Sequence, residues 1–349
     1  MSYSVVDLFC GVGGLTKGLE LANLNVIAGI DIEENCRFAY EMNNDAIFIQ
    51  GDVSEIQSEE ISNLYPRGDV KILVGCAPCQ PFSNYTQRYR KDGYKDDKWK
   101  LLYSFVDIVY ELKPLIVSME NVPELEKHPI FNDFVKQLET MGYSCSWSIA
   151  YCPDYGVPQS RKRLVLLASL LGDIELIPPL YTDVEYLTVR DAIGDLPMLQ
   201  NGATDVNDLM HSSTKLNPIN LERIRNSIPG GTWNDWDDHL KLPCHKKKTG
   251  KGYSAVYGRM EWNKPSPTIT TQFYGYGNGR FGHPEQDRAI SYREGAILQS
   301  FPRNYIFVQD EDQISKRQLG IQIGNAVPVE LGRAIGLSII NHLEDMGVE

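Results

Sequence analysis

The 349-residue sequence carries no excess of positive charge: 34 Lys and Arg stand against 46 Asp and Glu, a formal net charge of -12. That excludes a generic coating protein for polyanions, which needs a basic surface to neutralise phosphates. Long apolar runs are also missing. The densest, 164–171, is short and has Ser169 inside it, too little to cross a bilayer. No basic stretch leads into an apolar one at the start, so no export signal and no membrane partner are expected, and the expected location is the cytoplasm. Cysteines are few, odd in number and scattered, at 10, 36, 76, 79, 145, 152 and 244; a secreted disulfide framework would pair and cluster them. Cys76-x-x-Cys79 has no second C-x-x-C or H-x-x-x-H pair to complete a zinc site, so no metal is expected. Internal repeats are absent, and the one biased run is His245-Lys246-Lys247-Lys248.

What is present suits a globular protein: 42% apolar residues and 10% aromatics suffice for a large buried core. Strand-like stretches at 4–9, 25–31, 46–49, 70–75, 115–119, 144–149 and 164–169 alternate with helical patterns, one running through Ala22 after a glycine turn and others at 34–42, 101–112 and 130–141. Such alternation predicts an α/β fold, Rossmann-like, with a mostly parallel sheet and helices on both faces. The rhythm stops at Pro178-Pro179, and a stretch rich in Gly, Pro, Asn, Trp and Tyr follows. Helical patterns return at 291–300 and 326–342. The expected division is 1–179 with 286–349 as one domain, and 180–285 as a smaller, irregular one.

Positive charge is concentrated in two places. Residues 84–100, with Arg88 and Arg90, sum to +3, and residues 241–264, with Lys246, Lys247, Lys248 and Lys251, sum to +6. Two basic segments on an acidic body suit one polyanion-facing side, or two solvated loops.

Six motifs, the acid at Asp31 among them, lie at element ends. Asp7-Leu8-Phe9-Cys10-Gly11-Val12-Gly13-Gly14 joins the first strand to the first helix, where glycines let backbone approach a ligand. The dinucleotide pattern needs a glycine where Thr16 stands, which disfavours NAD. Asp31 ends the second strand and can accept from ribose hydroxyls, and Asp52 follows the third. Together they describe a site for a nucleoside without a diphosphate, such as S-adenosylmethionine, or else plain turn glycines and surface acids. Gly75-Cys76-Ala77-Pro78-Cys79-Gln80-Pro81-Phe82-Ser83 follows the fourth strand. It reads as a nucleophilic thiol held by prolines, as a redox dithiol, or as buried thiols in a turn. Glu120 in Glu120-Asn121-Val122 ends the next strand, as a catalytic acid or a helix cap. In Gln159-Ser160-Arg161-Lys162-Arg163 the alternate arginines would point to one side of an extended segment. Gln322-Ile323-Gly324-Asn325-Ala326-Val327-Pro328 reads as the start of the last helix.

In this order and spacing the motifs resemble those of the bacterial DNA (cytosine-5) methyltransferases, over residues 5–169 and about 262–342. The resemblance implies a class I S-adenosylmethionine-dependent fold in which 180–262 recognises the target sequence. It implies that Cys79 is the nucleophile, that Glu120 binds cytosine N3, and that Arg163, with Arg161 beside it, holds the base and Glu120. Phe9, Gly11, Gly13, Asp31, Ile32, Asp52, Val53, Leu101, Asn325 and Val327 would form the cofactor shell. Residues 84–100 would close over duplex DNA, touched by Pro78, Gln80, Ser83, Arg88 and Arg90. Lysines 246, 247, 248 and 251 would meet phosphates. The expected protein is a nucleoid-associated monomer with a restriction endonuclease as functional counterpart. Cys10 and Cys76 fall where the family varies, and no chemistry is assigned to them. A tRNA cytosine enzyme, a thiol oxidoreductase using Cys76 and Cys79, and a silent nucleic-acid-binding module are the rival readings.

Overall fold

In a computed structural model, residues 2–78, 100–247, 254–309 and 315–348 are described. They divide into two compact units: 1–155 with 162–180 and 327–349, and 156–161 with 181–326.

The first unit is built on strands β1 (Tyr3–Leu8), β2 (Asn25–Asp31), β3 (Ile47–Gln50), β4 (Val70–Gly75), β5 (Ile116–Asn121), β6 (Ser144–Tyr151) and β8 (Lys162–Ser169). Helices α1 (Gly14–Leu21), α2 (Arg37–Asn43), α3 (Ser58–Leu64), α4 (Lys100–Leu112), α5 (Pro129–Thr140) and α10 (Val329–Asp345) connect and cover them. The sheet order is β3-β2-β1-β4-β5-β8-β6. β1 to β5 pair in parallel, and β8 enters antiparallel between β5 and β6. The sheet is therefore mostly parallel, with its chain reversal at the β6–β8 ribbon.

Strand alternation assigns the two faces. Val6, Leu8, Ala28, Ile30, Leu73, Val117, Met119, Leu164 and Leu166 enter one apolar core with α3, α4 and α5. The alternate residues face the opposite side, where Gly29 leaves room for Tyr40 of α2: a Cβ there would sit 2.4 Å from the Tyr40 ring. On the helical layer α1 packs on α10 through small residues. A Cβ on Gly18 would fall 2.3 Å from the Val329 carbonyl oxygen, and from the other side a Cβ on Gly332 would fall 3.0 Å from the Leu15 carbonyl oxygen and one on Gly336 2.6 Å from the Ala22 Cβ. Only glycine permits this backbone contact.

The second unit holds β7 (Gln159–Ser160), α6 (Val189–Ile193), α7 (Pro218–Arg225), β9 (Ser266–Pro267), α8 (Tyr292–Leu298) and α9 (Lys316–Asn325). β7 and β9 form a two-stranded parallel ladder. The rest is turns around small apolar and aromatic clusters, such as Trp233, Trp236 and Leu240. Residues 286–326 pack in this unit, so the chain returns to the first one at Val327 rather than at 286. Arg293 pairs with Asp208, and its backbone N–H donates to the Met210 carbonyl, tying α8 to earlier residues of its own unit.

Candidate functional site

The turn after β1 is made by three left-handed residues in alternation, Phe9 (φ 60°), Gly11 (φ 52°) and Gly13 (φ 86°). A side chain at Phe9 makes this conformation costly, and the contacts around the turn hold it. Asp31 Oδ2 accepts the Gly11 N–H at 2.8 Å, and its Oδ1 accepts the Glu33 N–H at 2.9 Å. Burial pushes the Asp31 carboxyl up, opposed by these backbone N–H groups. Beneath the turn, Thr16 donates to Asp7 Oδ2 at 2.7 Å and shares a 3.0 Å hydrogen bond with the Tyr40 hydroxyl. Burial pushes the fully enclosed Asp7 carboxyl up to about 7, against the Thr16 hydrogen bond. Thr16, the residue that breaks the dinucleotide pattern, therefore anchors this buried network.

The surroundings fit a cationic nucleoside. Nothing lies within 4 Å of a Cβ built on Gly11, so the turn is open on that side. Ile32, at the end of β2, leaves 58% of its surface uncovered, an apolar face for a planar ring. Asp52 spends Oδ1 on the Ser54 N–H and hydroxyl, and Val53 beside it is buried. Asp31, Glu33, Glu34 and Asp52 are all acidic. That set attracts a sulfonium and an ammonium and repels a diphosphate.

Glu120, near the end of β5, is 2% exposed. It pairs with Val165 of β8, and Arg163 lies two residues along β8 on the same face, the diagonal position at which long side chains meet. Arg163 Nε lies 2.8 Å from Glu120 Oε1. The contact is one of charge, because that oxygen accepts no hydrogen bond of good geometry. Glu120 Oε2 accepts from the Cys76 thiol at 2.8 Å. Asn121 donates from Nδ2 to the Ala77 carbonyl at 3.0 Å and accepts the Val122 N–H on Oδ1. The Cys76 N–H in turn donates to the Leu8 carbonyl. The backbone that runs into Pro78 and Cys79 is thus pinned by both neighbouring strands.

The structure brings Glu120 and Arg163 together and separates Arg161 from them. Arg161 belongs to the second unit, where its guanidinium donates to the carbonyls of Ile269 (2.9 Å) and Gly324 (3.3 Å). The expectation of two arginines on one side fails because β7 ends at Ser160 and β8 starts at Lys162, in different sheets. Arg161 is a buried brace for carbonyls. Asn325 ends α9 rather than opening the last helix, which starts at Val329 after Pro328. Val327 is buried at the start of the first unit's final segment, and Leu101 is half-buried in the first turn of α4. Pro78, Lys246 and Lys247 are exposed. Cys79, Gln80, Ser83, Arg88, Arg90, Lys248 and Lys251 lie outside the described residues.

Sequence reasoning passed over Cys76, Asn121 and Thr16. Alternation along β4 was the available signal for the first: Leu73 and Gly75 face α4, so the next residue faces the Glu120 side.

Residues 3–341 match the family described as C-5 cytosine-specific DNA methylase. The chain is 53% identical over 346 residues to the Type II methylase M.HgiDII of Herpetosiphon aurantiacus, covering 98% of this chain and 96% of that one. It is 30% identical to the Type II methyltransferase M1.HphI of Haemophilus parahaemolyticus, over 97% and 87% of the two chains. Among solved structures, an E. coli prophage protein described as a DNA modification methyltransferase aligns with a TM-score of 0.75 at 23% identity. The alignment spans 98% of this chain and all of that one.

Proposed function

This chain belongs to the C-5 cytosine-specific DNA methylase family, and from that premise we propose how its residues methylate C5 of cytosine in DNA. The observation that carries the reading is the buried Glu120 carboxyl, gripped by Arg163, beside a backbone segment that Asn121 and Leu8 hold on its way into Cys79.

Cytosine C5 is a poor nucleophile. The Cys79 thiolate adds to C6, forming a C–S bond, while Glu120, carrying a proton when the base is bound, donates it to N3 and is left as the carboxylate that Arg163 faces. Arg163 keeps the Glu120 carboxyl in place. The electron pair then sits at C5. The 9–13 turn with Asp31, Ile32 and Asp52 would hold S-adenosylmethionine, which would supply an electrophilic methyl group and leave as the neutral thioether S-adenosylhomocysteine. Once C5 carries the methyl, a base removes the C5 proton, the C5=C6 bond re-forms, the C–S bond breaks to release Cys79 as a thiolate, and N3 returns its proton to Glu120. C6 is out of reach in a stacked duplex, so the cytosine must be flipped out, at a cost of a few kcal/mol. Contacts from 84–100 and from lysines 246, 247, 248 and 251 to phosphates offset that cost and carry no sequence information. The second unit reads the target sequence. The enzyme acts as a cytoplasmic monomer; the Type II names of the relatives support a restriction endonuclease of the same specificity as its counterpart. Bisulfite sequencing of a plasmid from cells expressing the chain tests the activity: one short sequence should carry 5-methylcytosine at every copy, and an unmodified plasmid would reject it.

Asp31→Ala should weaken S-adenosylmethionine binding. It removes a ribose acceptor and also frees the Gly11 N–H that sets the turn. Hydrogen bonds of this kind are worth about 0.5–1.5 kcal/mol each, so a loss of roughly 5- to 100-fold in affinity is expected. Calorimetry checks it, with DNA affinity in the absence of cofactor as the unchanged control.

A further inference from the structure

Cys76 is a thiol of the first unit that reaches the Glu120 carboxyl. It follows Gly75 at the end of β4, and its backbone N–H is committed to the Leu8 carbonyl. The next carbonyl, of Ala77, is committed to Asn121. With the backbone held on both sides, the side-chain direction is settled, and Sγ stands 2.8 Å from Glu120 Oε2. The other carboxyl oxygen faces Arg163. Each oxygen of one buried carboxyl therefore has its own partner, from strands on opposite sides of β5.

We propose that Cys76 is a positioning residue: its thiol holds Oε2 of Glu120 until cytosine arrives, and fixes the carboxyl rotation in which N3 is met. This rests on the reading of Glu120 as the N3 partner. The physical basis is the weakness of the donor. An S–H group is a poor hydrogen-bond donor, so it satisfies the carboxyl without competing strongly with the base. A carboxyl held only on Oε1 is free to rotate about its terminal torsion, which is broad and roughly two-fold. A misplacement on the scale of an ångström is costly to a step that depends on alignment. Arg163 alone fixes one end of the carboxyl, and Cys76 supplies the second point that determines its plane.

The test compares Cys76→Ala, Cys76→Ser and Glu120→Gln in single-turnover methylation of a duplex carrying the target, with S-adenosylmethionine affinity measured in parallel. Cys76→Ala should lower the methyl-transfer rate about 5- to 20-fold, at the bottom of the roughly 13- to 160-fold range of one hydrogen bond to a charged group because S–H is a weak donor, with cofactor affinity and KM for DNA unchanged. Cys76→Ser restores a donor and should recover most of that loss. A Cys76→Ala enzyme as fast as wild type overturns the inference. So does a Cys76→Ser enzyme as slow as the alanine variant, or a loss that appears in cofactor affinity or KM instead of rate. Glu120→Gln separates the two layers. If it leaves the rate intact, the reading of Glu120 fails; if it is slow while Cys76→Ala is not, only the role of Cys76 fails.

Discussion

Cys79→Ser should bind S-adenosylmethionine as wild type does and lose methyl transfer by on the order of 10³-fold or more. The reason lies in the first step. Attack on C6 needs an ionised nucleophile, and a thiol with a pKa near 8.5 is already a few per cent thiolate at neutral pH. A serine hydroxyl has no comparable anion, and nothing in the Glu120–Arg163 pair can generate one, since Glu120 is already engaged by Arg163 and Cys76. Cofactor binding is spared because the 9–13 turn and Asp31 belong to the ends of β1 and β2, while Cys79 follows β4. Wild-type enzyme on a duplex with 5-fluorocytosine at the target should form a covalent adduct stable to denaturing electrophoresis, because fluorine cannot leave C5 as a proton does. The serine variant should form none. Wild-type turnover by Cys79→Ser would remove the covalent mechanism.

Arg288→Ala should be the most damaging substitution outside the catalytic rim. Arg288 is fully buried, and its guanidinium makes two 2.7 Å hydrogen bonds to the carboxyl of Glu294, itself 1% exposed. Burial raises the Glu294 carboxyl, but Arg288, His283 and the Ser291 N–H outweigh it and hold the group at about 2. Removing one partner of such a pair leaves a buried charge uncompensated and costs about 3–5 kcal/mol. Replacing both, as in Arg288→Met with Glu294→Leu, should recover much of that loss. Urea unfolding followed by tryptophan fluorescence checks the order of the three stabilities, and additive losses in the double variant would refute the coupling.

The same cluster makes a pH prediction. Glu294 in the folded protein titrates near 2, below its ordinary 4.5. The stability it contributes is therefore complete above about pH 4.5 and is lost as pH falls towards 2. His283 is held neutral, pushed down by burial from 6.5 to about 4 despite the nearby Glu294. Its depressed pKa likewise makes acidification destabilising, from about pH 6.5 downwards. Both signs agree, so the second unit should weaken progressively from pH 6.5 to 2. Arg288→Ala should flatten the lower part of that slope.

The sequence by itself determined the elements whose signal is local. The strands at 25–31 and 70–75 were legible to the residue because runs of apolar residues with clear ends need no knowledge of a partner. The helical pattern at 291–300 was legible in the same way and is α8. The order of the rim motifs already named Glu120 and Arg163. The tertiary structure decided what depends on residues distant in the chain. A short apolar strand pattern does not tell parallel from antiparallel, so the entry of β8 against β5, which delivers Arg163 to Glu120, could not be read from it. Nor could the break between Ser160 and Lys162 that sends Arg161 into the other unit, since strand periodicity assumes one continuous strand. Thr16, Asn121 and Cys76 carry no distinctive local pattern. Their roles come from partners 9, 44 and 44 residues away, and a hydrogen bond across such a separation exists only once the sheet has been assembled.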